Sequence, residues 1–347
     1  MILKSILKKD NLDKFEISFL LSLSDKKDID LLYQRADEVR KKYVGDDVYL
    51  RGIIEFSNYC EQDCLYCGLR KSNDGLERYR MSLDNILLTA GNIVKSGIKT
   101  IVLQSGEDFL FSKSDITNII KSIKEKYDVA ITLSLGERSR EEYFEWCEAG
   151  ADRYLLKHET ANPKLYSMYH QGQNLADRIT HLNYLREAGF QIGSGNLVGM
   201  PHQTNDDVAD DILLCKELDV DMCSISPFIS SPSTPYKKKS NCSVEYVLKT
   251  MAVARIVLKN SHMPATTALA TLDIEGREKG LQVGANVIMP NFTPNPYRKN
   301  YLIYPDKKCL TDDPMNCAGC LSIMVQSLGR RIGVDKGHSL KKDFISI

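Results

Sequence analysis

The feature that most limits the fold is a regular alternation of strand-length apolar runs with amphipathic helical segments, which continues from Val48 to Asn291. Such alternation is typical of parallel sheets whose strands are joined by helices. Eight strands are predicted, near 48–57, 100–105, 130–135, 153–157, 191–197, 222–227, 264–268 and 286–290. Eight strand–helix units indicate an α/β fold, the (β/α)8 TIM-type barrel, whose active site lies at the C-terminal ends of the strands. A partial six-stranded barrel with two irregular last strands is the alternative.

The helices between these strands are recognised by apolar residues at helical spacing. They are predicted near 82–97, 115–127, 140–149, 175–188, 206–219, 244–260 and 275–283. Ser82 and Asp206 are the predicted N-caps. Gly97, Gly150 and Gly189 are the predicted helix stops.

Two further helical segments, 13–23 and 27–43, precede the first strand, and no linker or repeat divides the rest of the 347 residues. We therefore expect an N-terminal helical cap over 1–45 and a barrel over 46–300. A C-terminal tail over 301–347 is expected to belong to the same domain. A single barrel commonly reaches this length.

The composition narrows the classes of function. Lys plus Arg and Asp plus Glu number 46 each, so the formal charge is zero and no cation excess is available for a phosphate backbone. No apolar run approaches the roughly 18 residues that a membrane span needs. Charged residues interrupt the first ten positions before a secretory segment can form. The expectation is a cytoplasmic protein that binds neither nucleic acid nor membranes.

The first predicted strand carries charge on one face. Arg51, Glu55 and Ser57 share that face, while Leu50, Ile54 and Phe56 share the other. If the apolar face meets the helices, Arg51 and Glu55 point into the barrel. Barrel interiors are normally filled by Val, Ile and Leu, so a polar lumen indicates a cavity for a polar ligand. The alternative is that Arg51 and Glu55 pair with each other at the barrel floor.

Directly after this strand, Cys60, Cys64 and Cys67 form a Cys-x3-Cys-x2-Cys loop. Three thiolates can hold three irons of a cubane cluster, and because no fourth cysteine follows nearby, one iron is left open to a further ligand. A zinc site is the alternative, but structural zinc normally takes four ligands and no histidine lies within the loop. The spacing therefore favours an iron–sulfur cluster.

The cysteine spacing, the aromatic Tyr66 before the third cysteine and the position after the first strand resemble the radical S-adenosylmethionine (SAM) superfamily. The resemblance implies a 4Fe-4S cluster on Cys60, Cys64 and Cys67 that reduces SAM. A 5′-deoxyadenosyl radical then attacks the substrate. In such enzymes the protein positions the reactants and shields them from water, while the cofactor performs the difficult chemistry.

The resemblance also implies residues for SAM at the other strand ends. Gln104, Ser105, Gly106 and Glu107 stand where the superfamily carries a Gly-Gly-Glu-like motif for the amino group, with Ser105 in place of the first Gly. Glu159 is expected to accept hydrogen bonds from the ribose hydroxyls, and Arg178 to pair with the carboxylate. The glycine-rich segment around Gly195 is expected beside adenine. Met289 completes the predicted cofactor-binding set.

Several longer segments resemble the HydE family of FeFe-hydrogenase maturases, among them 53–58, 103–108, 133–137, 152–156, 264–268 and 284–291. Cys309, Cys317 and Cys320, spaced Cys-x7-Cys-x2-Cys, are similar to an accessory iron–sulfur site of many such maturases, of 2Fe-2S or 4Fe-4S type. A zinc knuckle or a group of free thiols is the alternative for this tail. The four remaining cysteines, Cys147, Cys215, Cys223 and Cys242, are interpreted as core or surface residues.

The family resemblance implies a role in building the di-iron centre of FeFe-hydrogenase. The expected substrate is an iron carrying carbon monoxide, cyanide and cysteine, supplied by a partner maturase, and the radical is expected to attack the cysteine sulfur. A downstream di-iron scaffold maturase and an electron donor of the ferredoxin or flavodoxin type are the other expected partners. An anionic complex needs fixed positive charge and donors in a dry lumen. The residues expected to supply them are Arg51, Arg153, Thr266, Thr267 and Tyr304.

One position departs from the family pattern. Lys157 stands where the family usually has Arg, and Lys cannot reproduce a planar two-pronged contact with an anion. Two other functions stay open from the sequence. One is a radical SAM mutase or sulfur-chemistry enzyme acting on an amino acid, with a methylornithine-synthase-like activity. The other is a non-catalytic iron–sulfur scaffold.

Overall fold

The computed structural model describes residues 2–308 and 314–341, with the backbone alone for 314–318. Its strands are β1 (Asp47–Leu50), β2 (Gly52–Ser57), β3 (Thr100–Ser105), β4 (Ala130–Ser134), β5 (Arg153–Leu155), β6 (Gln191–Val198), β7 (Met222–Pro227), β8 (Val287–Ile288) and β9 (Arg331–Ile332). Strands β2 to β7 form one parallel sheet in sequence order. Parallel neighbours need a crossover connection, and helices supply it here. The predicted α/β TIM-type fold is therefore confirmed.

The barrel closes through short and irregular pairings. β8 pairs in parallel with β1, and single bridges link Met222 to His262 and Pro264 to Val287. The prediction of a regular strand over 264–268 is wrong, because Thr266 caps a helix that starts at the next residue. The predicted first strand is likewise divided at Arg51 into β1 and β2. The sheet thus resembles the alternative with six regular strands, completed by irregular seventh and eighth positions.

The helices follow the predicted order with additional short turns. They are α1 (Ile2–Ile6), α2 (Lys14–Ser22), α3 (Lys26–Tyr43), α4 (Leu83–Lys95), α5 (Lys113–Lys126), α6 (Arg140–Glu148), α7 (Pro163–Tyr169), α8 (Leu175–Glu187), α9 (Asn205–Glu217), α10 (Val244–Leu258), α11 (Thr267–Leu272), α12 (Gly276–Gln282), α13 (Asn295–Arg298) and α14 (Pro314–Ser327). None in the described part of the chain combines the length and the apolar composition of a membrane-crossing helix.

The helix ends show which local predictions hold. Ser82 caps α4 by accepting a hydrogen bond from the Asn85 backbone, as predicted. Asp206 is not the N-cap of α9. The Thr204 side chain accepts a hydrogen bond from the Asp207 backbone N–H, so the cap lies two residues before Asp206. The three predicted helix stops, Gly97, Gly150 and Gly189, all have positive φ.

The N-terminal helices cover one side of the barrel. α2 packs on α9, and α3 packs on α10, so the buried faces of both N-terminal helices extend the main core. The Lys249 ammonium, although buried, donates to the Leu23 backbone oxygen at 2.6 Å and ties the two layers together. The domain limits remain a prediction, but this packing gives the first 45 residues a structural role.

The floor of the barrel is closed by the C-terminal segment 330–341. Arg153 is fully buried and donates to the backbone oxygens of Lys336 and Gly337 at 2.7 and 2.9 Å. Arg51 donates to Met222 Sδ at 2.7 Å and to Gly337 O at 3.3 Å. Both arginines stand at the N-terminal starts of their strands, which is the end of the barrel opposite to the cysteine loop.

This placement corrects the prediction that Arg51 and Arg153 bind a substrate anion. Neither lines the central cavity, and each guanidinium donates to a backbone oxygen of the C-terminal segment. The alternative pairing of Arg51 with Glu55 is also wrong, because Glu55 binds Lys307 and Asn291 instead. The two-residue period of the strand correctly predicted which side chains face the barrel interior. It did not predict at which level along the barrel axis each of them meets its hydrogen-bond partner.

Candidate active site

The three cysteines lie on a loop that leaves the end of β2 and packs tightly on the end of β3. A Cβ atom on Gly106 would stand 2.2 Å from the Tyr59 backbone oxygen and 2.7 Å from Cys60 Cβ, so the loop requires glycine at that point. The Glu107 backbone N–H donates to Cys60 Sγ at 3.4 Å. Cys60, Cys64 and Cys67 are unpaired and partly buried. The fold therefore holds three free thiols at the C-terminal rim of the barrel.

Buried polar contacts fix the outer part of this loop. The Arg70 guanidinium bonds both oxygens of Asp63, at 2.8 and 2.5 Å, and thereby holds the pKa of that carboxyl well below its usual range. Arg78 donates to the backbone oxygens of Asn58 and Leu69 at 2.6 and 2.9 Å. The cysteines are thus presented by a rigid frame.

The donor set fits a cubane cluster better than a single zinc ion. Among the residues that the structure describes, no three His, Cys, Asp or Glu side chains converge as ligands of one ion. Thiolates of a cubane each bind a different iron, so their sulfur atoms need not meet at one point, whereas zinc gathers four ligands around itself. Burial raises the pKa of Cys67 to about 12, with a further rise from Cys60, so the thiols need a cationic partner to ionise.

One histidine contacts the cysteine loop, although the sequence spacing gave no sign of it. His170 follows α7 and lies with Nδ1 3.3 Å from Cys64 Sγ and Nε2 3.2 Å from the Tyr66 hydroxyl. Its side chain is 3% exposed, and burial, followed by the charges of Arg178 and Lys157, lowers its pKa to about 3. The imidazole is therefore neutral and fixed against the loop.

A cavity of about 320 Å³ opens beneath the cysteine loop at the barrel centre. Most of the predicted cofactor and substrate residues line it, namely Tyr66, Gln104, Glu159, Arg178, Thr266, Thr267, Met289 and Tyr304. Lys157 lines it as well. A concave site with a few convergent polar groups is the usual form of a cofactor or substrate pocket.

The cavity wall beneath the loop carries fixed charges of both signs. Glu159 has φ of 63° and is held by backbone hydrogen bonds from Glu159 N to Gly195 O and from Leu197 N to Glu159 O. Lys157 Nζ stands 3.0 Å from Glu159 Oε2. Arg178, on α8, donates to Glu137 Oε1 at 2.5 Å and to the Lys157 backbone oxygen at 2.8 Å. A neutral ligand with amino and carboxylate groups finds a partner here for each of them.

Four predicted cofactor residues lie outside the cavity lining. Ser105 donates to the Gly106 backbone, and Glu107 accepts from the Glu137 N–H at 3.0 Å and from the Gln62 side chain. Burial raises the pKa of Glu107. Gly195 has φ of 146°, and a Cβ atom there would stand 2.0 Å from the Ser224 backbone oxygen. These residues, with Gly106, shape the rim, while their contact with a cofactor stays a prediction.

The deeper wall of the cavity contains a buried ion pair that the sequence did not reveal. Lys307 Nζ binds Glu55 Oε1, and Asn291 donates to the other Glu55 oxygen at 2.8 Å. The ammonium also lies 5.0 Å from the centroid of the Tyr301 ring. Because Glu55 and Lys307 are 252 positions apart, no local spacing could have joined them.

The accessory cysteines are not tested by the structure. Cys309 lies outside the described residues, as does the side chain of Cys317, and Cys320 is exposed. The second cluster therefore stays a prediction.

Comparison with known proteins gives concordant matches. The model of the radical SAM superfamily matches residues 54–215, which contain the cysteine loop, Glu159 and Arg178. The [FeFe] hydrogenase maturase subunit HydE of Thermotoga maritima is 49% identical over 317 residues, covering 91% of each chain. The 3-methylornithine synthase of Methanosarcina acetivorans is 28% identical over 278 residues, or 79% of this chain and 77% of that protein. The crystal structure of methylornithine synthase has a TM-score of 0.83 at 22% identity and covers 96% of this chain and 97% of that one.

Proposed function

The chain belongs to the radical SAM superfamily and, within it, to the HydE family, and from this premise we propose that it acts in the assembly of the di-iron centre of FeFe-hydrogenase. The observation that carries the proposal is the 49% identity to HydE across 91% of both chains. The rim supports it, because three free thiols lie above a cavity whose wall carries Lys157, Glu159 and Arg178. The chain is accordingly a radical SAM enzyme.

Cys60, Cys64 and Cys67 would hold a 4Fe-4S cluster with SAM at its open iron. When bound, the cluster would supply one electron at low potential for the cleavage of a carbon–sulfur bond of SAM. Glu159 is placed to accept hydrogen bonds from ribose hydroxyls, and Gln104 and Met289 face the same space. The Arg178 guanidinium, already fixed by Glu137, keeps further N–H donors for a carboxylate.

The substrate that we propose is an iron bearing carbon monoxide, cyanide and cysteine, attacked at the cysteine sulfur. Attack on one atom requires that the radical carbon and the cysteine sulfur be held about 3–3.5 Å apart, and a concave pocket can hold them at that distance. Lys157 and Lys307 contribute ammonium groups to the wall, while Thr267 and Tyr304 contribute hydroxyls. These four side chains replace Arg51 and Arg153 as the proposed partners of an anionic complex.

The partners follow from this role. A partner maturase would supply the iron complex, a di-iron scaffold maturase would receive the product, and a ferredoxin or flavodoxin would supply electrons. Cys309, Cys317 and Cys320 are proposed to hold an accessory cluster of 2Fe-2S or 4Fe-4S type outside the lumen.

A mutase acting on an amino acid is the second candidate, favoured by the TM-score of 0.83 to methylornithine synthase. The two functions separate in one assay. Anaerobically reconstituted protein is given SAM, a reductant and the iron complex, and the carbonyl and cyanide bands are followed by infrared spectroscopy together with 5′-deoxyadenosine. We expect the bands to change in step with SAM cleavage. Unchanged bands, together with formation of 3-methylornithine from an amino acid, would establish the mutase instead.

A further inference from the structure

The C-terminal end of α7 is attached directly to the cysteine loop. The Leu65 N–H donates to the Tyr169 backbone oxygen at 2.9 Å, and the next residue, His170, caps the helix. The helix therefore brings an imidazole beside Cys64 from a segment 106 positions away.

Aromatic contacts fix the orientation of this imidazole. The Tyr166 ring stacks on it at a centroid distance of 4.5 Å and an angle of 15°, and the Tyr66 ring meets it edge-on at 5.5 Å. Cys64 Sγ lies within hydrogen-bond distance of Nδ1, and the Tyr66 hydroxyl lies within hydrogen-bond distance of Nε2. A ring so held has no freedom to turn its nitrogens elsewhere.

The chemistry of the partners assigns the protons. A thiolate bound to iron only accepts, so Nδ1 must carry the proton and donate to the Cys64 sulfur. In the neutral ring Nε2 is then an acceptor, and the Tyr66 hydroxyl donates to it.

We propose that His170 is a positioning residue for the cluster, which donates an N–H···S hydrogen bond to Cys64 and raises the cluster's reduction potential. The inference rests on the proposed role of the three cysteines as cluster ligands. Hydrogen bonds to cluster sulfurs stabilise the reduced state, which carries one more negative charge. One electron enters the cluster from the reductant and no proton moves, since Nδ1 keeps its hydrogen. Because Tyr66 also lines the cavity, it connects this hydrogen bond to the pocket.

The test is a redox titration of cluster-loaded protein without SAM, followed by electron paramagnetic resonance. His170→Leu removes the donor, and we expect the ratio of reduced to oxidised cluster at a fixed potential to fall about tenfold, which for a one-electron couple is 59 mV. His170→Asn is expected to remain near wild type, because its amide N–H can replace Nδ1–H. Tyr166→Phe is the matched control, since the Tyr166 hydroxyl is buried and forms no hydrogen bond within the described chain. Equal potentials in wild type and a fully loaded His170→Leu variant would overturn the inference.

A second measurement does not depend on the stability of the leucine variant. Wild-type protein labelled with ¹⁵N-histidine is expected to show one histidine nitrogen coupled to the reduced cluster spin by pulsed resonance, and His170→Asn to lack that coupling. Absence of the coupling in cluster-loaded wild type would also overturn the inference. Failure of wild type to load a cluster with all three cysteines present would instead contradict the proposed function.

Discussion

The two ends of the barrel are both polar, yet they use polarity differently. At the floor, Arg51 and Arg153 are buried cations that form no ion pair with a described carboxylate, and each donates to a backbone oxygen of the C-terminal segment. At the rim, Asp211 is a buried carboxyl without a cation, and it accepts hydrogen bonds from the Ala161 backbone and the Asn196 side chain at 2.5 and 2.8 Å. The cavity that contains Glu159 and Arg178 lies at the rim. A polar lumen therefore indicates a ligand site only where the protein leaves donors and acceptors open to it.

The difference has an energetic reason. A buried guanidinium is costly unless its donors are satisfied, and at the floor each nitrogen of Arg153 has a partner, whereas Arg51 Nε has none among the described residues. At the rim, the side chains of Glu159, Lys157 and Lys307 line the cavity, where a ligand of complementary charge would bind to them.

The largest effect is expected at the cysteine loop. The triple variant Cys60→Ala, Cys64→Ala, Cys67→Ala should lose the cluster and all detectable SAM cleavage, measured as 5′-deoxyadenosine after anaerobic reconstitution. Cys147→Ala, a partly buried cysteine on α6, is the control and should cleave SAM at the wild-type rate. Wild-type cleavage by the triple variant would disprove the assignment of the loop.

A substitution at the floor of the barrel should lower the stability of the fold and should not affect the reaction at the rim. Arg153→Met removes the guanidinium that donates to the oxygens of Lys336 and Gly337, which then keep only the donors of Thr100 and Arg51, and we expect a loss of about 1.5–3 kcal/mol in the free energy of unfolding. Urea denaturation followed by circular dichroism measures this loss. Arg140→Met removes an exposed pair with Glu187 and a contact of the guanidinium with the Phe144 ring at 4.4 Å, and it should cost about 1 kcal/mol or less. If Arg153→Met were as stable as Arg140→Met, the floor would not depend on these bonds.

The carboxyl behind the rim predicts a pH dependence of stability. Burial raises the pKa of Asp211 to about 7, so the folded protein keeps a proton that the unfolded chain has already released near pH 4. Stability therefore falls as pH rises toward 7, by about 2–3 kcal/mol between pH 5 and 7.5 from this group alone. Asp211→Asn should remove that component of the slope. Asp210→Asn, an exposed neighbour, should retain it, and equal slopes in wild type and Asp211→Asn would refute the explanation.

The smallest effect on SAM cleavage is expected from the accessory cysteines. Serine at Cys309, Cys317 and Cys320 should lower the iron content but leave SAM cleavage near the wild-type rate, because these residues follow the barrel and are proposed to lie outside its lumen. Loss of cleavage in folded protein that retains the first cluster would make the tail part of the reaction.

Much of the rim could be predicted from the sequence, because its chemistry is carried by short motifs at strand ends. The cysteine loop follows the end of β2 as predicted, and Gln104 and Glu159 line the cavity at the ends of their predicted strands. The partners of these groups could not be predicted. Lys307 and His170 reach the site through the tertiary fold, and no periodicity connects them to Glu55 or Cys64.

At the floor, too, the sequence did not predict the partners of the buried side chains. The register placed Arg51 and Arg153 on the inward face correctly, but inward residues at the two ends of a barrel share one sequence pattern. The carbonyl oxygens that bind them belong to residues 336 and 337, almost 200 positions after Arg153 in the chain. Contacts of that separation depend on where the tail packs.

The most direct test of the account compares SAM affinity at the two ends, by calorimetry on cluster-loaded protein. Glu159→Gln should weaken SAM binding about tenfold, because a hydrogen bond to a charged acceptor contributes about 1.5–3 kcal/mol. Arg153→Met, once folded, should bind SAM within about twofold of wild type, because a bond to a backbone oxygen at the floor does not reach the rim. Weaker binding by Arg153→Met together with unchanged binding by Glu159→Gln would contradict the assignment of the cavity as the cofactor site.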